Sequence, residues 1–196
     1  MLKTLLAGLL GFLMAGCTSF RQLDDSVPAP SKDESIIILG VNDEHYHVMI
    51  WPGSIDGDGK FLPSLLRNAT VGGKPRNGYL IGKANAGDVI AVTKVSYHSN
   101  PDSVVPDVGF AACTETQTMS IKVPSGKVIY LGDVRYRFLD RKLEVHYTDD
   151  IDKARRYVDV SFPALTGKVE HVQPDFVPVR KSCEGLYTPI PIYIGR

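Results

Sequence analysis

The sequence predicts a mainly β protein, an antiparallel β-sandwich with one short helix near residues 149–158. Three observations predict this fold. Short runs of β-branched and aromatic residues recur along the chain, turn-forming residues separate these runs, and no series of helices alternates with them. Closely spaced strands without intervening helices favour a sandwich over the parallel sheet of an α/β protein.

Seven runs are predicted to be strands, and their boundaries follow from the turn residues between them. The pair Pro52-Gly53 is expected to end the second strand, and Pro124-Ser125-Gly126 is expected to close a β-hairpin. Segments 56–67 and 71–77 are rich in glycine and charge, so we expect long loops there. The predicted strands are 35–41, 45–51, 79–83, 88–98, 116–123, 127–138 and 142–147.

The one helical pattern follows Thr148, which is predicted to cap the helix. Acidic residues occupy the first turn, and two arginines lie toward the carboxyl end, which matches the helix dipole at both ends. An apolar stripe at i, i+3 and i+7 would cover a sheet edge or an end of the sandwich. The pair Phe162-Pro163 must follow the helix. The acidic residues are Asp149, Asp150 and Asp152, and the arginines are Arg155 and Arg156. The apolar stripe consists of Ile151, Ala154 and Val158.

Composition narrows the function classes. The chain has 196 residues, 22 basic against 22 acidic side chains, and 43% hydrophobic residues. This balance gives no general attraction to nucleic acid, so we predict no nucleic-acid partner. The chain is too apolar for a disordered protein, and its three cysteines are too few for a small disulfide scaffold. No apolar run reaches the roughly 18 residues of a transmembrane helix.

The first sixteen residues have the pattern of a secretory signal peptide. Lys3 precedes the apolar run 5–14, and small residues follow it. The alternative is a buried helix, which would be unusual immediately before a polar, proline-containing stretch. The segment Leu13-Met14-Ala15-Gly16-Cys17 resembles the lipobox of bacterial lipoprotein precursors. The resemblance implies cleavage before Cys17 and acylation of this cysteine, which would anchor the protein to a lipid bilayer without spanning it.

The same resemblance bears on location. Thr18 stands where an aspartate would retain a lipoprotein of a Gram-negative cell in the inner membrane, so the family pattern implies an outer-membrane protein facing the periplasm. In a Gram-positive cell the anchor would lie in the outer leaflet of the cell membrane. Residues 17–34 are predicted to be the lipidated cysteine and a flexible tether, and 35–196 a single sandwich domain with a proline-rich tail at 174–191.

Two cysteines remain once Cys17 carries lipid. An exported domain lies in an oxidising compartment, so we predict a disulfide between Cys113 and Cys183 that pins the proline-rich tail to the middle of the domain. Two buried, unpaired thiols are the alternative, because bonding geometry does not follow from sequence.

The body resembles exported lipoproteins that carry β-sandwich domains of unknown function. The resemblance includes the leading strand, Trp51-Pro52-Gly53 and the segment from Val123 to Tyr130. Such relatives offer no catalytic residues and imply no cofactor. We therefore expect a non-enzymatic module that binds or braces another component of the bacterial cell envelope. Capture of a small ligand between the sheets or loops is a further possibility.

An enzyme is the rival hypothesis. His45 and His47 are two residues apart on a predicted strand, so both imidazoles would lie on one face, as in zinc sites that take two histidines from one strand. The third ligand would be His98, His146 or an acidic residue, and spacing selects none of them. An envelope hydrolase or metal-dependent enzyme could use these residues, but hydrogen-bonded strand histidines are the default. Residues 54–60 lack the ligand spacing of a calcium loop, so a glycine-rich turn is predicted there.

Overall fold

Two β-sheets face each other in the computed structural model, which describes residues 23, 26–139 and 142–183, and the backbone of 192–194. The first strands in chain order are β1 (Glu34–Val41), β2 (Tyr46–Ile55), β3 (Phe61–Pro63), β4 (Val71–Gly73), β5 (Tyr79–Asn85), β6 (Val89–Tyr97) and β7 (Val108–Ala111). They are followed by β8 (Gln117–Lys122), β9 (Val128–Leu139), β10 (Lys142–Thr148), helix α1 (Ile151–Ser161), β11 (Val169–His171), β12 (Asp175–Pro178) and β13 (Ile192–Ile194). The predicted sandwich with one helix is confirmed.

The two sheets differ in strand direction. In the first sheet the strands lie in the order β13-β10-β9-β1-β5, with β11 also beside β9. Three of its pairings are parallel: β1 with β9, β11 with β9, and β10 with β13. The second sheet has the order β12-β8-β6-β2-β3, with β4 beside β2 and β7 beside β6. All its strand pairs are antiparallel, so the predicted antiparallel pairing holds for this sheet, whereas the first is mixed.

Most buried apolar side chains fill two layers, and a smaller third cluster consists of Phe61, Ala91, Ala112 and Val179. The layer between the sheets includes Leu39, Ile50 and Phe110, all at most 1% exposed. The second layer lies on the outer face of the first sheet, where α1 covers β1 and β9. Because the helix covers the outer face, β1 is buried on both faces, which explains its unbroken apolar sequence. The helix therefore covers a sheet face, not the predicted edge or end.

The turn at Pro124-Ser125-Gly126 corrects one prediction. It does not close a hairpin, because β8 before it belongs to the second sheet and β9 after it belongs to the first. Ser35 holds the turn: its hydroxyl donates to the Pro124 carbonyl at 2.6 Å and accepts from the Lys127 N–H at 2.9 Å. The residues that reverse a chain are the same whether the next strand pairs with the last one or crosses to the facing sheet.

Strand β2 runs through Pro52 and Gly53 instead of ending there. On one side, β2 pairs with β4 and then with β3, and Pro52 lies in the gap between these two pairings. The Pro52 carbonyl faces this side, where it accepts from the Ser64 N–H at 2.9 Å. The proline nitrogen faces the same gap, so its lack of a hydrogen breaks no strand pairing. A Cβ at Gly53 would lie only 2.5 Å from the Phe61 ring. Both residues fit the place where β3 approaches. Strands β3 and β4 lie in segments predicted to be long loops.

The amino terminus of α1 is capped two residues later than predicted. Asp150, not Thr148, is the capping residue, and its carboxylate accepts from the Lys153 N–H at 3.0 Å. Asp152 is the one acidic residue in the first turn, and the last turn contains no basic residue, so only the amino-terminal dipole match is present. The helix ends at Ser161, and the Phe162 N–H donates to the Val158 carbonyl at 2.8 Å.

Part of the predicted tether packs on the domain. Val27 is only 5% exposed and lies in the layer beneath α1, and the Leu23 N–H donates to the Ile81 carbonyl at 3.2 Å. The signal segment 1–16, Cys17 and Thr18 lie outside the described residues, as does 184–191 of the predicted tail. Among the described residues, no helix has the length and apolar character needed to cross a membrane.

Candidate functional site

An open groove of about 450 Å³ lies on the outer face of the second sheet, and its surface is mainly apolar. We call it the Trp51 groove. Its floor is formed by the sheet, one wall by β3 and the chain after it, and the other by the chain around Cys113 and the segment after β12. The lining residues are Trp51, Leu62, Pro63, Ser64, Leu65, Thr93, Lys94, Ala111, Ala112, Val179, Arg180 and Lys181.

The floor is recessed because small side chains lie next to the only tryptophan of the chain. Thr93 and Ala111 lie on neighbouring strands, β6 and β7, and Trp51 lies on β2 on the other side of β6. Neither small side chain can cover the indole, which stays partly exposed. An indole offers a large apolar surface with a polar edge, which suits it to binding surfaces.

Apolar surface continues from the first wall to the outside of the molecule. Leu62 is 43% exposed, Leu65 93% and Leu66 97%. Single exposed leucines are ordinary, but three within five residues beside an apolar groove place much exposed apolar surface at one edge of it. Such patches on soluble domains are typical of interaction surfaces.

The second wall is held in place by the disulfide. The Cys113 and Cys183 sulfurs lie at disulfide bonding distance and their Cα atoms are 5.2 Å apart, which confirms the predicted pairing. The Arg180 N–H donates to the Phe61 carbonyl at 2.8 Å, and the Lys181 carbonyl accepts from Thr114 at 2.9 Å. The segment after β12 is therefore tied both to β3 and to the chain around Cys113.

Two carboxylates orient Arg180 at the end of this wall. Its guanidinium Nε lies 2.6 Å from Asp56 Oδ2, and its Nη2 lies 2.8 Å from Asp58 Oδ2. The Lys60 N–H donates to Asp56 Oδ1 at 3.0 Å, and this hydrogen bond is the main cause of the lowered pKa of Asp56. The hydrogen bond from the Asp58 N–H and the charge of Arg180 lower this pKa further. The glycine-rich turn was thus predicted correctly, and its acids bind an arginine of this chain.

The charged residues that line the groove are all cations. They are Lys94, Arg180 and Lys181. Because Asp56 and Asp58 already compensate Arg180, Lys94 is the lining cation that contributes positive potential to a ligand in the groove.

The two predicted histidines hold a loop and do not converge on a ligand. His45 lies just before β2, and its Nδ1 is 2.7 Å from the His98 carbonyl oxygen. His47 Nε2 is 3.0 Å from the Pro101 carbonyl oxygen, and burial is the main cause of the lowered pKa of His47. Both rings therefore bind main-chain oxygens of the loop between β6 and β7.

Of the two further histidines considered as a third ligand, only His98 is near. Its ring stacks on His47 with centroids 3.7 Å apart, and its Nε2 is 3.0 Å from the Ser96 hydroxyl. His146 lies on β10, in the other sheet. Within the described ranges, no group of three histidine, cysteine or acidic side chains is placed to hold a metal ion.

A second hollow, of about 520 Å³, lies beside the carboxyl end of α1. Its lining includes Leu23 and Ile81, which are joined by a main-chain hydrogen bond, and Tyr79, whose ring stacks on Tyr157 with centroids 4.6 Å apart. The protein's own amino-terminal segment thus borders this hollow. The Trp51 groove is the better candidate because no described segment covers its floor.

Sequence reasoning missed the groove because its residues come from five separate segments. The signals that could have drawn attention to it are the lone Trp51 on a predicted strand and the pair Leu65-Leu66 inside a segment otherwise rich in charge and glycine. Comparison of the chain with protein-family models, curated proteins and solved structures found no match.

Proposed function

We propose that this protein is a lipid-anchored, non-enzymatic module of the bacterial cell envelope that uses the Trp51 groove to hold another envelope component. It would be attached to the outer membrane through acylated Cys17 and would face the periplasm. The observation that carries the binding function is the open apolar groove, which continues onto Leu65 and Leu66.

The anchor is supported by the lipobox-like segment that ends at Cys17. Each methylene buried in the bilayer contributes about 0.8 kcal/mol, and stable attachment takes two acyl chains, as a diacylglyceryl cysteine provides. The predicted disulfide, now found within bonding distance, fits an oxidising compartment.

Chain length supports an orientation in which the groove faces away from the bilayer. Only six peptide units separate Cys17 from Leu23, so they span at most about 22 Å. Leu23 packs against the layer under α1, on the outer face of the first sheet. The Trp51 groove lies on the outer face of the second sheet, on the opposite side of the sandwich. A protein tethered in this way would present its groove to the periplasm.

The anchor is tested with full-length protein in growing cells. Radioactive palmitate should label the parent and not the Cys17→Ala variant, and membrane fractions should contain the parent and lose the variant. A Thr18→Asp variant is the matched control for sorting: it should still be labelled but should move to the inner membrane. Membrane attachment of Cys17→Ala equal to that of the parent, or recovery of protein that retains residues 1–16, would contradict the anchor.

The binding function is tested by deletion and complementation. Deleting the gene should alter envelope integrity or the assembly of a partner, and the parent gene should restore it. A Trp51→Ala variant that is anchored and folded should fail to restore it, whereas Val160→Ala, a change at an exposed site on α1, should succeed. Full restoration by Trp51→Ala would show that the groove is not the binding site.

A further inference from the structure

We infer that the Trp51 groove binds an extended acidic segment of a partner protein, with an apolar side chain against Trp51 and a carboxylate beside Lys94. This inference rests on the proposed function, because it names the partner of the same site. It follows from the charge of the lining, the extent of the apolar patch and the position of the groove relative to the tether.

The charge of the lining selects an anionic partner. Among the residues that the structure describes, no acidic one lines the groove, and the three charged lining residues are cations. Arg180 already has two carboxylate partners, and Lys94 forms no ion pair within the part of the chain that the structure describes. Lys94 is therefore the cation best placed to gain a partner. Complementary charge beside an apolar contact fixes the register of a binding segment.

The shape of the apolar surface favours a protein over a small amphiphile. Trp51 lies at the floor of the groove and Leu65 lines it, whereas Leu66 is 97% exposed and is not a lining residue. A small ligand confined to the groove would leave Leu66 in water. A protein segment that fills the groove, together with the surface that carries it, can cover both.

The position of the groove argues against the protein's own bilayer as the occupant. The tether joins the domain at Leu23, on the face covered by α1, and the groove lies on the other side of the two sheets. Stacked sheets are about 10 Å apart, so the anchored domain would have to turn over to bring Trp51 to the lipid. The six peptide units between Cys17 and Leu23 are too short to favour that turn, because Val27 is packed in the layer beneath the helix.

The experiment places a photoreactive amino acid in the full-length, anchored protein in cells. Ser64, in the groove wall, is replaced by p-benzoylphenylalanine, and Val160 is replaced in the same way as the control on the opposite face. Irradiation should give a protein adduct from position 64 and none of that mass from position 160. Sequencing the crosslinked peptide by mass spectrometry should show Asp or Glu close to an apolar residue.

Charge reversal supplies the discriminating readout. Lys94→Glu should reduce the yield of the adduct about tenfold, and Lys94→Arg should leave the yield unchanged. In the Lys94→Glu protein, changing the partner's acidic residue to lysine should restore the yield. Lys94 is a partly exposed side chain, so these variants should remain folded, which unchanged urea unfolding checks. An adduct unaffected by Lys94→Glu, a crosslinked peptide without an acidic residue, or an adduct with the mass of a lipid would overturn the inference.

These outcomes separate the inference from the proposed function. If an adduct forms at position 64 but ignores the charge of residue 94, the binding function stands and the acidic partner is wrong. If position 64 gives no adduct, the groove has no partner and both are wrong. The anchor is judged independently, through Cys17→Ala, because it does not depend on the groove.

Discussion

Removal of the Cys113–Cys183 disulfide should lower both the stability of the domain and the order of one groove wall. The bond joins positions 70 residues apart. In the chain-entropy model, a loop of that length restricts the unfolded chain by about 15 cal/mol/K, or about 4.4 kcal/mol at 25 °C. Whole domains are stable by only about 5–15 kcal/mol, so this contribution is a large share of the total.

The assay compares the parent with a Cys113→Ala/Cys183→Ala variant in urea, with and without a reducing agent. We expect the free energy of unfolding to fall by about 4 kcal/mol in the variant, which corresponds to a melting temperature lower by roughly 8–16 °C for a domain of this size. The reductant should lower the free energy of unfolding of the parent to nearly that of the variant, and it should leave the value of the variant unchanged. The double change avoids leaving one free thiol.

A loss below about 1 kcal/mol would refute this reasoning, because it would mean that the unfolded chain gains little freedom when the loop opens. The wall itself gives a second readout. Val179 to Lys181 lie within four residues of Cys183, so their amide hydrogen exchange should accelerate on reduction. The pairing of β12 with β8 should stay protected, since it does not depend on the bond.

Three further predictions concern the first sheet and its helix. Gly40→Ala should destabilise the domain by about 1–3 kcal/mol in urea unfolding, because the added Cβ would overlap the Asp133 carboxylate. The same change should cost less in a protein that also carries Asp133→Ala, and equal costs in the two backgrounds would contradict the overlap. Burial raises the pKa of Asp133, with the hydrogen bond to Tyr130 opposing it, so its contribution to stability is present below the unfolded pKa and is lost as the pH rises through the folded pKa. As the pH rises through the folded pKa of Asp133, the difference in the free energy of unfolding between Asp133→Asn and the parent should therefore shift in favour of Asp133→Asn, and a difference that stays constant with pH would refute this. Asp150→Ala should cost about 1 kcal/mol through loss of the cap on the Lys153 N–H, whereas Thr148→Ala should cost less; the reverse order would restore Thr148 as the cap.

Local sequence patterns predicted strands and the helix, because the conformation of these segments depends mainly on residues that are close in sequence. The strands at 35–41 and 79–83, for example, lie within β1 and β5 of the structure, because runs of β-branched and aromatic residues favour extended backbone wherever they pack. The helix was predicted for a similar reason, since its apolar stripe is read within eleven residues. Its cap was misplaced because Thr148 and Asp150 both have suitable side chains, and Thr148 remains paired in β10.

Long-range pairing could not be predicted in this way. Nothing near Pro124-Ser125-Gly126 shows that β9 pairs with β1, whose residues lie more than eighty positions earlier. The three-residue strands β3 and β4 have too few residues for an alternating pattern and exist because β2 offers them an edge. The Trp51 groove is a property of the assembled sheet, so its residues have no common sequence signal.

The place of β1 within its sheet bears on how the chain folds. This strand is the first of the domain, yet its neighbours are β5 and β9, and the hydrogen bond between Ser35 and Lys127 joins residues 92 positions apart. Such non-local pairing makes folding slow, because loop closure must precede the contacts that compensate it. The β9–β10 hairpin pairs strands that are adjacent in sequence, whereas the pairing of β1 with β9 must join Ile36 and Val128, which are 92 positions apart. The strand nearest the proposed anchor is therefore expected to complete its pairing late.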